Sequence, residues 1–479
     1  MTLREESLRL VDRHWAVMAI GEEERLRGLR VAGARLVRNA VGRQMSIDFG
    51  RRSTDDDLLR RLGLAYEVAA IEGLASVLGG DPGDETSREL LSAGAFRAFD
   101  ILRLLPVPES GEARVFHVLH VSAIAYCGDR WSDLRRWYGE NECVITVPSV
   151  ASVDWDRRLL FRLFECWIRL FRKRRWDDLD RIREIISGLR EDQRTHEAAH
   201  LATGTDERDR AAAIRLVGLY HWAKATEILA QYMLQGDPSG VSTLLDKHFE
   251  AATAAARACP DAQFETLLRW LHAASRSMVL GSIWWVAARV NSRVSSFVRE
   301  LTTKQAMFEL LPPQRAALQQ QGLLDQAARA VVVDLPTSGG KTLLAQFRIL
   351  QALNQFDREH GWVAYVAPTR ALSAQITRRL RRDFEPIDVR VEQLTGAVEV
   401  DAFEADLLSR SGDRSAFDVL VATPEKLHLV VRNKKVPRPL ALVVMDEAHN
   451  IGTNLVVSGL SCCWRQLRAR GGTGSTSSF

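Results

Sequence analysis

Cysteine is sparse in this chain and never suitably paired. Six occur in 479 residues (Cys127, Cys143, Cys166, Cys259, Cys462 and Cys463), with no C-x-x-C spacing among them. Neither a zinc ribbon nor a disulfide framework is thereby supported, and the sequence reads as a protein of the reducing cytoplasm. Long apolar runs are also missing. Trp284-Trp285-Val286-Ala287-Ala288 ends at Arg289, far short of the ~20 residues a membrane helix needs, and no membrane partner is expected. The first residues, with Arg4, Glu5 and Glu6, lack the apolar core of a signal peptide. Neither sign of charge dominates: the net charge is +4, a mild excess of base that permits a nucleic-acid partner without demanding one. Lysine is scarce beside arginine, so a lysine inside a motif carries weight.

Residues 1–305 read as all-helical. Leu159, Leu160, Leu163, Phe164, Trp167 and Leu170 recur at three-and-four spacing, and β-branched alternation is rare. Breaks fall at Gly79-Gly80-Asp81-Pro82-Gly83, Pro106-Val107-Pro108, Gly236-Asp237-Pro238 and Cys259-Pro260. Trp131, Trp176 and Trp222 follow one another at 45 and 46 residues, with Phe264 near the next place. That spacing predicts stacked helix pairs, a scaffold for protein or nucleic acid; an irregular helical domain with core tryptophans is the alternative. Arg172-Lys173-Arg174-Arg175 reads as a solvated helix end able to touch phosphate.

From about residue 306 short apolar runs alternate with helical stretches. Residues 329–335, 361–367, 388–394, 418–422 and 440–446 read as strands of a parallel, doubly wound sheet. Two chemical motifs follow strand ends, where such sheets bind ligands. Pro336-Thr337-Ser338-Gly339-Gly340-Lys341-Thr342 succeeds Val331-Val332-Val333 and precedes an amphipathic helix. Turn amides at Ser338, Gly339 and Gly340 can cradle phosphate oxygens. Lys341 reaches the β- and γ-phosphates, and the Thr342 hydroxyl holds Mg²⁺. Roughly a hundred residues on, Leu442-Val443-Val444-Met445 runs into Asp446-Glu447-Ala448-His449. Asp446 meets the Mg²⁺ through water, and Glu447 orients and deprotonates the attacking water. The pair predicts binding of a nucleoside triphosphate with magnesium. Leu335 departs from the Gly or Ala usual at its place, which bears on the loop's shape.

Three further turns complete a set. Leu311-Pro312-Pro313-Gln314 lies upstream, Ala367-Pro368-Thr369-Arg370-Ala371-Leu372 follows the run at 362–366, and Thr423-Pro424-Glu425-Lys426 follows 418–422. In this order, with PTSGGKT and DEAH, they resemble the first motor lobe of superfamily 2 helicases, leaning to the Ski-like branch of the DEAD/DEAH-box proteins. The resemblance covers roughly 305–455. It implies an α/β RecA-like lobe with a parallel sheet, an ATP-dependent helicase, and DNA or RNA as partner. It also implies roles residue by residue. Gln314 reads the adenine edge, with Thr337 in the ATP cradle. Thr369, Arg370, Thr395, Gly396 and Thr423 contact the backbone of one strand, a salt-sensitive binding largely blind to sequence. His449 links the nucleotide and strand sites.

The organisation expected is therefore a helical domain over 1–305, a RecA-like lobe over 306–460 and a flexible tail or truncation scar over 461–479. Only 27 residues follow Gly452, and the family's next motif, a Ser/Thr-Ala-Thr turn, is not among them. Neither is the second motor lobe, whose arginine finger is worth about 10³–10⁵ in rate. A truncated chain with little activity alone is expected. One match points elsewhere: His196-Glu197-Ala198-Ala199-His200 fits H-E-x-x-H, the pattern of a zinc hydrolase. The polar residues before it, Arg190 to Arg194, speak for solvated histidines instead.

Overall fold

The computed structural model divides into two compact units, Met1–Ser282 and Ile283–Phe479. It describes residues 3–45, 55–79, 85–109, 111–150, 153–201, 206–236, 240–259, 261–287, 292–319, 322–325, 330–335, 339–394, 402–409, 416–432 and 435–448. The tail expected over 461–479 lies outside them.

The first unit is built of helices: α1 (Leu3–Asp12), α2 (Trp15–Met18), α3 (Glu22–Met45), α4 (Asp56–Leu78), α5 (Glu85–Leu102), α6 (Gly111–Cys127), α7 (Trp131–Glu140), α8 (Trp155–Arg172), α9 (Trp176–Leu201), α10 (Asp206–Gln235), α11 (Val241–Ala258) and α12 (Ala262–Gly281). The apolar periodicity of α8 is realised, since all six residues that mark it are buried. Trp167 donates from Nε1 to Thr226 Oγ1 at 2.9 Å, which satisfies its one polar atom inside the core. Lys173 overturns the solvated reading of its basic run. It closes α8 with φ 39° and is buried, its Nζ donating to the Tyr126 hydroxyl at 3.1 Å.

The tryptophan spacing does not mark equivalent places. Trp131 and Trp176 open α7 and α9 and stay half-buried. Trp222 lies inside α10, fully buried. Because α10 runs unbroken from Asp206 to Gln235, no helix can start there.

The second unit holds α13 (Ile283–Ala287), α14 (Ser292–Gln305), α15 (Pro312–Gln319), α16 (Lys341–Gln355), β1 (Trp362–Val366), α17 (Arg370–Phe384), β2 (Val391–Gln393), α18 (Ala402–Ser409), β3 (Val419–Ala422), α19 (Pro424–Arg432) and β4 (Leu440–Met445). The four strands form one sheet in the order β2-β3-β1-β4, every pair parallel. Strands β1 and β3 are buried along their whole length, as a sheet covered on both faces requires. On one face Trp362, Ala364, Val366, Leu420 and Ala422 pack with Phe417, Leu427 and Val430. This is the expected RecA-like α/β arrangement.

Three details differ from expectation. Residues 330–335 form no strand, and Val331 and Val332 are 40% and 92% exposed. An extended run becomes a strand through a ladder partner, and none lies beside it among the described residues. Strand β4, whose apolar composition suits a buried strand, is half-buried because it stands at the sheet's edge. The division between units falls after Ser282 rather than at 305. The cause is Phe297 of α14, whose ring packs edge-on against Phe347 of α16 and Phe384 of α17 at 6.0 and 5.6 Å.

Candidate nucleotide and nucleic-acid site

Parallel strands place all their C-terminal ends on one edge of the sheet, and the candidate residues line up there. Asp446 continues β4, and its backbone N–H donates to the carbonyl of Val366 in β1 at 2.9 Å. Its carboxylate is held from two sides. The Tyr365 hydroxyl donates to Oδ2 at 3.1 Å, and the Glu447 amide donates to Oδ1 at 3.0 Å. Tyr365 is 2% exposed. Burial pushes its hydroxyl far above the usual phenol range, and the Asp446 charge adds to the push, so it remains a donor. Glu447 has φ 51°, a left-handed conformation that costs a non-glycine residue about 1–2 kcal/mol. Strain therefore sits on the residue assigned to the attacking water.

The phosphate-loop side begins at α16. Gly340 caps this helix with φ 75°, and Lys341 and Thr342 occupy its first turn, where free backbone N–H groups favour anions. Glycine is needed at 340 for a second reason: a Cβ there would run into Nε2 of Gln314. Gln314, on α15, is 5% exposed. Its Oε1 accepts from the Leu311 amide at 3.0 Å, and its Nε2 donates to the Gly340 carbonyl at 3.4 Å. The structure thus brings Gln314 against Gly340 and fixes the glutamine's orientation. Gly339 is buried; Thr337 and Ser338 lie outside the described residues.

The nucleotide-side and carboxylate-side groups meet through residues that the motifs did not mark. Arg379, on α17, donates from Nη1 to Thr342 Oγ1 at 3.3 Å. The Arg379 charge also acts on Tyr365, drawing its ionisation down while Asp446 and Glu447 push it up. Arg379, Thr342, Tyr365, Asp446 and Glu447 therefore share one corner. Asp383, one turn beyond Arg379, is buried and accepts from Gln346 of α16 at 2.9 Å and from Arg382 Nε at 2.9 Å. Tyr365 had one sequence signal, a polar tip inside an otherwise apolar strand; Arg379 had none.

Along the rest of the edge, Thr369 caps α17, its Oγ1 accepting from the Leu372 amide at 3.2 Å. Thr369 and Arg370 are exposed, and Thr423 is half-buried between β3 and α19. Leu394, after β2, is the last described residue before Thr395 and Gly396, which lie outside the description, as does His449. With the order β2-β3-β1-β4, Leu394, Thr423, Thr369 and Asp446 follow four neighbouring strand ends in turn.

The H-E-x-x-H match has a structural explanation in the first unit. Glu197 accepts from the Tyr220 hydroxyl and from Gln193, each at 3.0 Å. His196 stacks on Trp155 and lies 3.1 Å from the Arg158 guanidinium, a cation that disfavours a metal. Among the described residues no group of three or more His, Cys, Asp or Glu side chains could hold one. The side chain of His200 lies outside them.

Residues 312–475 match the family described as DEAD/DEAH box helicase. Through this stretch, about a third of its length, the chain resembles the DEAD/DEAH box helicases. Its relatives are consistent with the Ski-like branch of superfamily 2. It is 30% identical over 161 residues to the ATP-dependent DNA helicase Hel308 of Pyrococcus abyssi, which covers 33% of this chain and 20% of that protein. It is 29% identical to the Hachiman protein HamB of Bacillus cereus over 36% of this chain and 15% of the relative. It is 30% identical to the RQC trigger complex helicase SLH1 of Saccharomyces cerevisiae over 25% of this chain and 6% of the relative. The match thus spans a fifth or less of these proteins' lengths. No helix among the described residues is long and apolar enough to cross a membrane.

Proposed function

We propose that this chain carries the nucleotide-binding lobe of an ATP-dependent helicase that works on single-stranded DNA or RNA. The observation that carries the reading is the shared corner of Thr342, Asp446 and Glu447 at the sheet's C-terminal edge, with Gln314 seated on Gly340. Among the described residues the Thr342 hydroxyl and the Asp446 carboxylate offer a cation hard oxygens, which suit Mg²⁺. Those two would hold the ion, which supplies charge neutralisation for the phosphates.

The chain's own residues do the rest. Gly339, Gly340 and the loop through Thr337 and Ser338 embrace the phosphates, and Lys341 reaches their oxygens. Gln314 selects adenine. Glu447 accepts the proton of the attacking water, and Tyr365 holds Asp446 in place beside it. Thr369, Arg370 and Thr423, on neighbouring strand ends, make a row for a nucleic-acid backbone; Thr395 and Gly396 would contact the same strand, and His449, just after Glu447 in the chain, couples the two sites. The test is ATP hydrolysis with and without single-stranded DNA or RNA. Lys341→Ala should abolish nucleotide binding, whereas Glu447→Gln should keep binding and stop turnover. Turnover surviving in either variant would refute the assignments, and nucleotide binding without turnover would mean that hydrolysis needs residues supplied from outside this lobe.

A second reading concerns the helical unit, as a scaffold for a protein partner. Its support is α3, which exposes Leu26, Val37, Val41 and Met45 on its outer side, an apolar display that isolated surface helices rarely carry. Charged substitutions at Val37 and Val41 should then abolish partner capture and leave nucleotide binding intact.

A further inference from the structure

Among the described residues, Arg379 has only a weak anion partner, and it is placed at the triphosphate end of the candidate nucleotide site. Its nearest carboxylate is Asp383, one helical turn on, with Nε to Oδ2 at 3.8 Å. That carboxylate is already committed. Gln346 donates to the same Oδ2 at 2.9 Å, and Arg382 reaches Oδ1 at 2.8 and 2.9 Å. At 3.8 Å, with the guanidinium side chain 46% exposed, the pairing is weak and screened. The stronger contact of the head group is to a neutral atom, Thr342 Oγ1, at 3.3 Å. Thr342 stands directly after Lys341 in the first turn of α16, whose amides attract anions.

We propose that Arg379 is a substrate-binding residue that donates to the terminal phosphate of bound ATP. The inference rests on the ATP-site reading above and deepens it. A guanidinium is suited to the task because its planar fork offers several donors to phosphate oxygens. Its surroundings are prepared: Gln346 and Arg382 engage Asp383, and the Arg379 head group reaches Thr342 at the start of α16. The lobe thereby contributes an arginine of its own to the γ-phosphate, from the helix that opens at Thr369 and Arg370. Whatever seats on that turn bears on the same rigid element as the phosphate contact.

The test is nucleotide affinity of the full chain, measured by titration calorimetry with Mg²⁺ and either ADP or the non-hydrolysable triphosphate AMP-PNP. A charge-assisted hydrogen bond to phosphate is worth roughly tenfold or more in affinity. Arg379→Ala should weaken AMP-PNP by about that factor and ADP by less than about threefold, and Arg379→Lys should restore part of the difference. Equal weakening of both nucleotides, or no change in either, would overturn the proposal. Thermal melting of each variant separates loss of contact from loss of fold. If the wild-type chain binds neither nucleotide, the ATP-site reading fails as well. If it binds both and only the discrimination is unaffected by Arg379→Ala, the present inference fails alone.

Discussion

Tyr365 in the middle of the sheet holds Asp446 at its edge: the phenol hydroxyl donates to Oδ2 at 3.1 Å, across the pair of strands β1 and β4. The carboxylate loses rotational freedom, and Oδ1 is left to the Glu447 amide and to whatever enters the site. Tyr365→Phe removes one hydrogen bond and no volume. It should raise the Mg²⁺ concentration needed for half-maximal nucleotide binding about three- to tenfold. The melting temperature should hardly move, and a magnesium titration of nucleotide affinity checks both.

Gly340 and Gln314 act as one device. A methyl group at 340 meets the amide nitrogen of Gln314, and the φ of 75° resists any side chain. Gly340→Ala should therefore displace Gln314 and lose the preference for ATP over GTP or CTP, as Gln314→Ala does. The double variant should be no worse in selectivity than either single change, a non-additivity that competition binding would show.

Asp383 joins α16 and α17 through Gln346 and Arg382 while itself 6% exposed. Asp383→Ala should destabilise the second unit by about 2–3 kcal/mol, since buried donors lose their acceptor. Urea unfolding followed by Trp362 fluorescence is the measurement.

His117 of α6 makes the helical unit acid-sensitive. Burial, reinforced by the neighbouring His120, pushes its imidazole down to about 4. The unfolded chain, titrating near the ordinary ~6.5, then binds more protons between those values. Stability is complete above about pH 6.5 and drains away as pH falls to 4, by roughly 3 kcal/mol. His117→Gln should flatten this slope in denaturation curves taken at pH 7, 5.5 and 4.5.

What could be read directly from residues was whatever depends on local pattern. The six apolar positions of α8, the fully apolar strands β1 and β3, and the glycine–lysine–threonine start of α16 all declare themselves through period or spacing. What depends on partners did not. Val331 to Val333 have strand composition, yet a strand needs a neighbour. Trp222 matches the spacing of Trp131 and Trp176, yet the helix around it does not break. Arg379 and Asp383 lie 37 and 41 residues beyond Thr342, and only the packing of α17 on the sheet reveals that the arginine belongs to the phosphate end.

The strand order also governs how the protein is born. β1 sits between β3 and β4, and both of its neighbours are made later: Val363 pairs with Val419, and Trp362 with Leu440, 78 residues downstream. At about 5–20 residues per second, a ribosome takes roughly 4–16 s to deliver the second partner. Until β3 is made both edges of this apolar strip are open, and one stays open until β4 follows, a substrate for chaperones. Slowed codons within that stretch would lengthen the exposure and lower the yield of native protein.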